Sequence, residues 1–484
     1  MAIAAFQPFM LIAILPEILL LVLATLIFAL DALGGAGRRQ SLGGVASLGL
    51  ALILLATLGF GRPDAEQSLI FGGMLRHDWI AFTFKILLLF SAAVTCMLSM
   101  GVREVSARGE YYGLLVIATL GMTLMASSAD LIMLYLAIET TSIPLYVLAG
   151  FMKGDDKSTE SGMKYFLFGA LTSAVMLYGF SLLYGFTGET NLYRLADALQ
   201  ASEMSPWLLS GVLALILVGF SFKVAAVPFH FWTPDVYEGA PTPITAFLST
   251  ASKAAGFAVL ARVMLAVFPG IAGSWTAVLA GVSVATMTVG NLLALAQKNI
   301  KRLLAYSSIA HAGYVLIGLV ALSQFGAASM VFYLLAYVVT NLLAFAVVIL
   351  FARSAGSEEI ADYAGLSRRA PGLALALLVA MLSLAGMPPL AGFVAKVYVF
   401  AAAVQSGLVW LAFVGVLNAI VGLYYYLTVL KVVYLYRSEH EDKPVPVPRS
   451  YAIALITCVV AVLLIGTLSG PWLQWAITTA TSLF

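Results

Sequence analysis

The chain has 484 residues, 62% of them hydrophobic and 10% charged, and a mean hydropathy of +1.02. Soluble domains carry about 25% charged residues, so a soluble enzyme is excluded; the net charge of +2 says nothing of partners, because placement matters more than the sum, and no nucleic-acid partner is expected. Apolar runs of about 20 residues recur from end to end, which defines an all-α, polytopic protein of the lipid bilayer.

Fourteen spans are predicted, near residues 10–33, 42–60, 78–100, 111–128, 130–150, 161–186, 207–232, 242–268, 274–296, 303–322, 326–352, 371–404, 408–436 and 450–470, followed by the tail PWLQWAITTATSLF. The opening MAIAAFQPFMLIAILPEILL lacks a basic leader and a small-residue cleavage pattern, so it reads as an uncleaved first span. Glu17 and Asp31 fall toward opposite ends of that span and read as interfacial or helix-packing groups. Lys85 in span three and Arg262 in span eight lie toward the outward ends and are expected to snorkel. Cys96 and Cys458 each sit in an apolar span, as small buried hydrophobes that hold no iron–sulfur cluster.

Glu139, in DLIMLYLAIETTSIPLY, is the one carboxylate near the middle of a span. It must find a cation or become neutral. Lys164, early in span six, and Lys223, in span seven, are the candidates. Pairing favours both charged forms and burial disfavours both. Drawing such a pair apart makes the lysine release its proton, which is an elementary step for a proton pump.

Span seven reads FSFKVAAVPFHFWTPDVYEGA. Lys223 puts an ammonium at membrane depth, at a cost of about 2.5–3.5 kcal/mol. Pro228 breaks the helix, and freed backbone groups there must face protein or water. Lys253 follows in span eight. His230, beside the break, and His311, in KNIKRLLAYSSIAHAGY, are either proton relays or core histidines bonded to backbone. Two isolated histidines without a motif do not define a haem site. Tyr306, Ser307 and Ser308 are expected to carry bound water between relay groups.

A second break, GMPPLAGFVAK, falls in span twelve and ends on Lys396. Spans seven and twelve are an odd number of spans apart and so run in opposite directions. This predicts two inverted five-helix repeats: residues 111–268 (spans four to eight) and 269–436 (spans nine to thirteen). A three-helix segment, 1–110, precedes them. A loop, span fourteen and the tail, 437–484, follow. The membrane-depth groups suggest one proton line: Glu139, Lys164 and Lys223, then Lys253 with His230, then His311 and Lys396.

Of the 25 basic residues, sixteen lie in one set of loops, from Arg38 to Arg449, and three in the other, Arg62, Arg76 and Arg194; six are inside spans. The positive-inside rule then places both termini on the outer side. The chain shows no phosphate loop, dinucleotide fingerprint, zinc spacing or cysteine cluster. It is expected to bind no cofactor or metal, so a partner's chemistry or an ion gradient must drive it.

The stretches DLIMLYLAIETTSIPLY, ESGMKYFLFGA, FKVAAVPFHFWTPDVYEGAPTPITAFLSTASKAAGF, KNIKRLLAYSSIAHAGY and GMPPLAGFVAK resemble the antiporter-like proton-pumping subunits of respiratory complex I, the NADH:quinone oxidoreductase. The similarity covers roughly residues 110–430. WTPDVYEGAPTP and STASKAAGF narrow the resemblance to the subunit N branch. The chain lacks the long lateral helix of subunit L, and it carries Lys396 where subunit M has a glutamate.

The resemblance implies a proton path through Glu139, Lys164, Lys223, Lys253 and Lys396, with His230, His311 and Tyr306 as weaker bridging candidates. It assigns Lys85 no role. It implies a bacterial plasma membrane, and a sister antiporter-like subunit and small membrane subunits as partners. NADH, FMN, iron–sulfur clusters and quinone would act in those partners. The competing reading is a cation/proton antiporter subunit of the same fold.

Overall fold

The computed structural model describes residues 9–33, 41–63, 68–202, 204–438 and 444–484; Arg38, Arg39, His440 and Lys443 lie outside them. Among the described residues, thirteen helices are long and apolar enough to cross a membrane. In chain order they are Leu15–Leu33, Leu42–Phe60, Trp79–Ser99, Gly109–Ser127, Leu131–Ala149, Asp156–Thr187, Pro206–Val224, Thr242–Val267, Pro269–Ala294, Ile300–Val320, Gln324–Ala355, Val409–Leu435 and Arg449–Thr467. Two shorter apolar helices, Pro371–Ala385 and Ala391–Gln405, stand where span twelve is expected. The spans below are numbered one to fourteen with this pair as twelve.

Local chemistry sets the ends. Asp78, Asp130, Asp155, Asn299 and Ser323 each accept from backbone N–H groups of the first turn of the helix they precede. Gly188, Gly356 and Gly386 end helices in the left-handed conformation that glycine adopts without strain. Two elements depart from a purely spanning chain. Ser68–Ile70 and Leu75–His77 form an antiparallel hairpin, and Leu192–Ala201 is a short amphipathic helix. The tail also folds, as helix Ser469–Ala480. Trp475 donates to Thr83 Oγ1 at 2.8 Å and stacks on Phe82, which fastens the tail to span three.

The layers follow burial. The apolar stretch of span eight is 100% buried and those of spans ten and eleven 94%, against 33% for spans one, two and fourteen. Spans three, eight, ten and eleven are therefore the inner column. The proline-rich segments interrupt helices as expected. Span seven stops at Val224; Ala225 is left-handed (φ 59°), and a half-helix resumes at Trp232–Gly239. The freed Val227 N–H donates to Thr286 Oγ1 of span nine at 3.0 Å. Span twelve stops at Ala385, turns at Gly386 (φ 87°) and resumes at Ala391. Each break contains one cis X–Pro bond, Val227–Pro228 and Pro388–Pro389.

Span fourteen seals the second break. A Cβ on Gly466 would lie 2.2 Å from the Pro389 carbonyl oxygen, so only glycine allows that approach. Within this chain the first break faces outward instead, with Phe231 67% exposed beside an apolar groove of about 460 Å3 lined by Phe168, Leu171, Val218 and Phe222.

Two expectations about charges are corrected. Lys85 does not snorkel. It is buried against Glu17 of span one (Nζ–Oε1 2.9 Å) and donates to the Ala13 carbonyl at 3.0 Å. Glu17 is thus a buried counter-ion and not an interfacial group. Arg262 makes a two-pronged pair with Asp78 (2.7 and 2.9 Å) and donates to the Ala126 carbonyl and to Tyr193. In both cases an acid on a neighbouring element replaces water, so the cation has no need to reach the surface.

Candidate functional site

Lys223 sits in the last turn before the first break and is buried. Its ammonium donates to Ser142 Oγ of span five, which donates in turn to the Ile138 carbonyl. Glu139, three residues before Ser142 on the same helix, accepts from Ser173 Oγ of span six. Acid and amine therefore share one face of span five without touching, each held by a serine. Glu139 is partly exposed, between the exposed side chains of Leu136 and Ile143.

Lys164 lies elsewhere. Its ammonium meets Asp235 of the half-helix at 2.5 Å and Glu160 at 2.6 Å. Ser173, which holds Glu139, is nine residues further along span six, about 14 Å at 1.5 Å per residue. The expectation that Lys164 could be the counter-ion of Glu139 is not met in this structure. Lys164 belongs to an ion cluster at the end that carries the basic loops. There Arg302 bridges Asp235 (2.9 Å) and Glu238 (2.8 Å), and Lys157 reaches Glu238 (2.8 Å). Burial pushes the Asp235 carboxyl up, but Lys164 and Arg302 outweigh it and hold it below the usual carboxylate range.

Lys253 follows a π-helical turn, Leu248–Ser252, in span eight. It is 2% exposed. It donates to the Ser308 carbonyl at 2.6 Å and to Ser308 Oγ. On the same helix, Ser307 shares a hydrogen bond with the Tyr426 hydroxyl of span thirteen. Tyr426 lies 3.2 Å from His311 Nε2, and Tyr333 of span eleven lies 2.7 Å from His311 Nδ1. Both ring nitrogens are thus engaged, and the tautomer sets which way each bond points.

Lys396 donates to the Leu384 and Ala385 carbonyls, both at 2.9 Å. These are oxygens of the last turn before the second break, left without helical partners, at the negative end of the helix dipole. Gly386 leaves room for this side chain: a Cβ there would meet Lys396 Cδ at 2.9 Å. A small cavity lined by His311, Tyr333, Thr340, Ser383 and Leu384 lies between the histidine and this lysine site.

His230 is buried in the first break, and its ring lies against Phe231. Ser307 and Ser308 reach functional neighbours; the adjacent Tyr306 is only partly buried and contributes no hydrogen bond among the described residues. Ser142, Ser173, Tyr333 and Tyr426 complete the site and were not singled out by the sequence. Among the described residues no three metal-type side chains gather, and both cysteines are buried free thiols.

This fold, with two broken spans and three buried lysines at membrane depth, defines an antiporter-like membrane subunit. Residues 128–422 match the family described as NADH:quinone oxidoreductase/Mrp antiporter, TM. NADH-quinone oxidoreductase subunit N of Moorella thermoacetica is 44% identical, over 97% of this chain and 98% of its own. A chain of respiratory complex I from Thermus thermophilus, solved with bound aureothin, is 38% identical and superposes with a TM-score of 0.80 over 95% of this chain and 98% of its own. A chain of the Mrp complex from Dietzia sp. DQ12-45-1b gives a TM-score of 0.85 over 97% of both chains at 21% identity, a likeness of fold alone. The chain belongs to the NADH-quinone oxidoreductase subunit N family of complex I membrane subunits.

Proposed function

We propose that this chain translocates protons across a bacterial plasma membrane as a subunit of an NADH:quinone oxidoreductase. The observation that carries this reading is how the three central lysines are held. Lys223, Lys253 and Lys396 are buried, and each donates to hydroxyl or carbonyl oxygens and not to a carboxylate. An ammonium on neutral oxygens is not locked as an ion pair, so it can lose and regain a proton.

The line runs from Glu139 through Lys223 and Lys253, across Tyr426, His311 and Tyr333, to Lys396. Lys164 acts at its cytoplasmic end by fixing the half-helix, and His230 is a secondary relay in the break. The two inverted repeats, 111–268 and 269–436, each contribute one broken span. The end with the basic loops is cytoplasmic and both termini are periplasmic. A partly exposed carboxylate at membrane depth must face protein and not lipid, so the Glu139 face is where another membrane subunit docks. NADH, FMN, iron–sulfur clusters and quinone act in partner subunits.

Lys223→Ala tests this. NADH-driven proton uptake into inverted membrane vesicles should fall together with NADH oxidation while the complex stays assembled. Unchanged uptake would remove Lys223 from an obligatory path. A cation/proton antiporter remains the second reading because the matching family spans both. Sodium-dependent transport by the chain in vesicles without NADH would favour it.

A further inference from the structure

Span eight is not a uniform helix. Thr242–Phe247 and Lys253–Val267 are α-helical, and Leu248–Ser252 between them is a π turn. Such a turn carries one extra residue, so the two α segments are out of phase by about 100° relative to an unbroken helix. Lys253 is the first residue past the turn. Were the turn to move along the helix beyond Lys253, the ammonium would swing off Ser308 by the same angle. Where the turn sits therefore decides where Lys253 points.

Isolated π turns are rare, and this one is held from outside its own helix. Ser249 Oγ and Thr250 Oγ1 both donate to the Ala246 carbonyl, at 2.8 and 2.7 Å, so each can only accept from a further partner. Asn341 Nδ2 of span eleven donates to Ser249 Oγ at 2.7 Å. Ser91 of span three donates to Thr250 Oγ1 at 2.9 Å, on the other side of the turn. Asn341 is 1% exposed. Its amide also donates to the Tyr337 hydroxyl, one turn away on span eleven, at 3.1 Å. The Tyr337 ring centre lies 5.1 Å from that of His311. One carboxamide thus touches both the turn that aims Lys253 and the aromatic wall of His311.

We propose that Asn341 is a positioning residue for Lys253: its bond to Ser249 pins the π turn at residues 248–252 and so keeps Lys253 on Ser308. The inference rests on the proton-translocation reading above. Asn341 carries no proton itself. A carboxamide does not titrate, so its grip on Ser249 is the same whether Lys253 is an ammonium or an amine. Ser91 braces the same turn from span three.

Asn341→Ser draws the donor back by one bond, out of reach of Ser249. In inverted vesicles holding the intact complex, NADH-driven proton uptake should fall about tenfold, the worth of one hydrogen bond. Complex content, and NADH oxidation by a soluble artificial acceptor, should stay parental. Exchanging the pair, Asn341→Ser with Ser249→Asn, returns a carboxamide–hydroxyl bond to the same two positions and should recover most of the uptake. An exchange variant no better than Asn341→Ser would overturn the proposal. Lys253→Met run beside them separates the two readings. If Lys253→Met is inactive and Asn341→Ser pumps at the parental rate, the positioning role is overturned and the lysine line stands. If Lys253→Met itself pumps normally, the line fails and the positioning role with it.

A second variant covers an Asn341→Ser chain that does not assemble. Ser249→Ala removes the same bond from the other side, at the loss of a single oxygen. Its uptake should also fall about tenfold. Parental uptake by Ser249→Ala would overturn the proposal.

Discussion

The cations at the end opposite the basic loops and those in the central column are equally buried but differently held. Lys85 is 4% and Arg262 1% exposed, and each meets a carboxylate, Glu17 or Asp78. Lys223, Lys253 and Lys396 are 8%, 2% and 6% exposed, and among the described residues each donates to neutral oxygens and to no carboxylate. A buried pair is stable only while both members stay charged, so it acts as a fixed joint. A buried lysine on hydroxyls and carbonyls keeps acceptors in either protonation state. Burial alone therefore does not distinguish a charge free to titrate from a fixed one; the partner does.

The largest expected effect breaks a fixed joint. Asp78→Ala leaves the Arg262 guanidinium buried without its counter-ion, at a cost of about 3–5 kcal/mol. Native-gel analysis should show little assembled complex, whereas Asp78→Leu with Arg262→Leu should restore assembly. Assembly of the single variant at parental levels would show the pair to be dispensable.

The central lysines should respond in the opposite sense. Lys253→Met removes an unpaired buried charge, so thermal stability should hold or rise while proton uptake is lost. Lys253→Arg should also be inactive, because a guanidinium does not release its proton. An active arginine variant would assign Lys253 a charge role without titration.

The breaks are the next point of comparison. Gly466→Val forces side-chain atoms against the Pro389 and Leu390 backbone. Overpacking of this kind costs about 1–3 kcal/mol. Gly470→Val, at a site with nothing within 4 Å of the added Cβ, should unfold like the parent. Equal melting temperatures for the two variants would mean that span fourteen does not brace the second break.

The smallest effect concerns Lys164. Its ion pairs are a third or more exposed, and such pairs contribute about 0–1 kcal/mol. Lys164→Ala should assemble normally and lose only part of its pumping rate. The Asp235 carboxyl is held low, so its contribution is present above the ordinary carboxylate pKa near about 4. It is lost as pH falls through the lower folded value. Protease nicking of the half-helix in detergent should therefore rise only in acid.

The spans and both breaks were legible because twenty-residue apolar runs and prolines inside them are local signals. The lysines were legible because a charge inside such a run is rare. Their holders were not. A serine or threonine in a membrane helix commonly bonds its own preceding turn, as Thr119 does to the Leu115 carbonyl. Nothing in residue type separates it from Ser142 or Ser173. The fixed joints were misread as snorkelling for a related reason: Glu17 lies 68 residues from Lys85, and Asp78 184 from Arg262. Lys164 and Glu139 lie on adjacent spans, but sequence does not show that the rise of span six places Ser173 beside Glu139 and Lys164 beside Asp235.

The seat of Gly466 on Pro389 has a consequence for biosynthesis. The ribosome delivers span twelve well before span fourteen, and about 76 residues separate Leu390 from Gly466. At about 5–20 residues per second, that stretch takes about 4–15 s to emerge. Through that interval the nascent chain holds its second break without the helix that covers it. Membrane insertases and proteases that inspect unfinished chains meet this segment before it is sealed, so a stall between spans thirteen and fourteen would prolong its exposure.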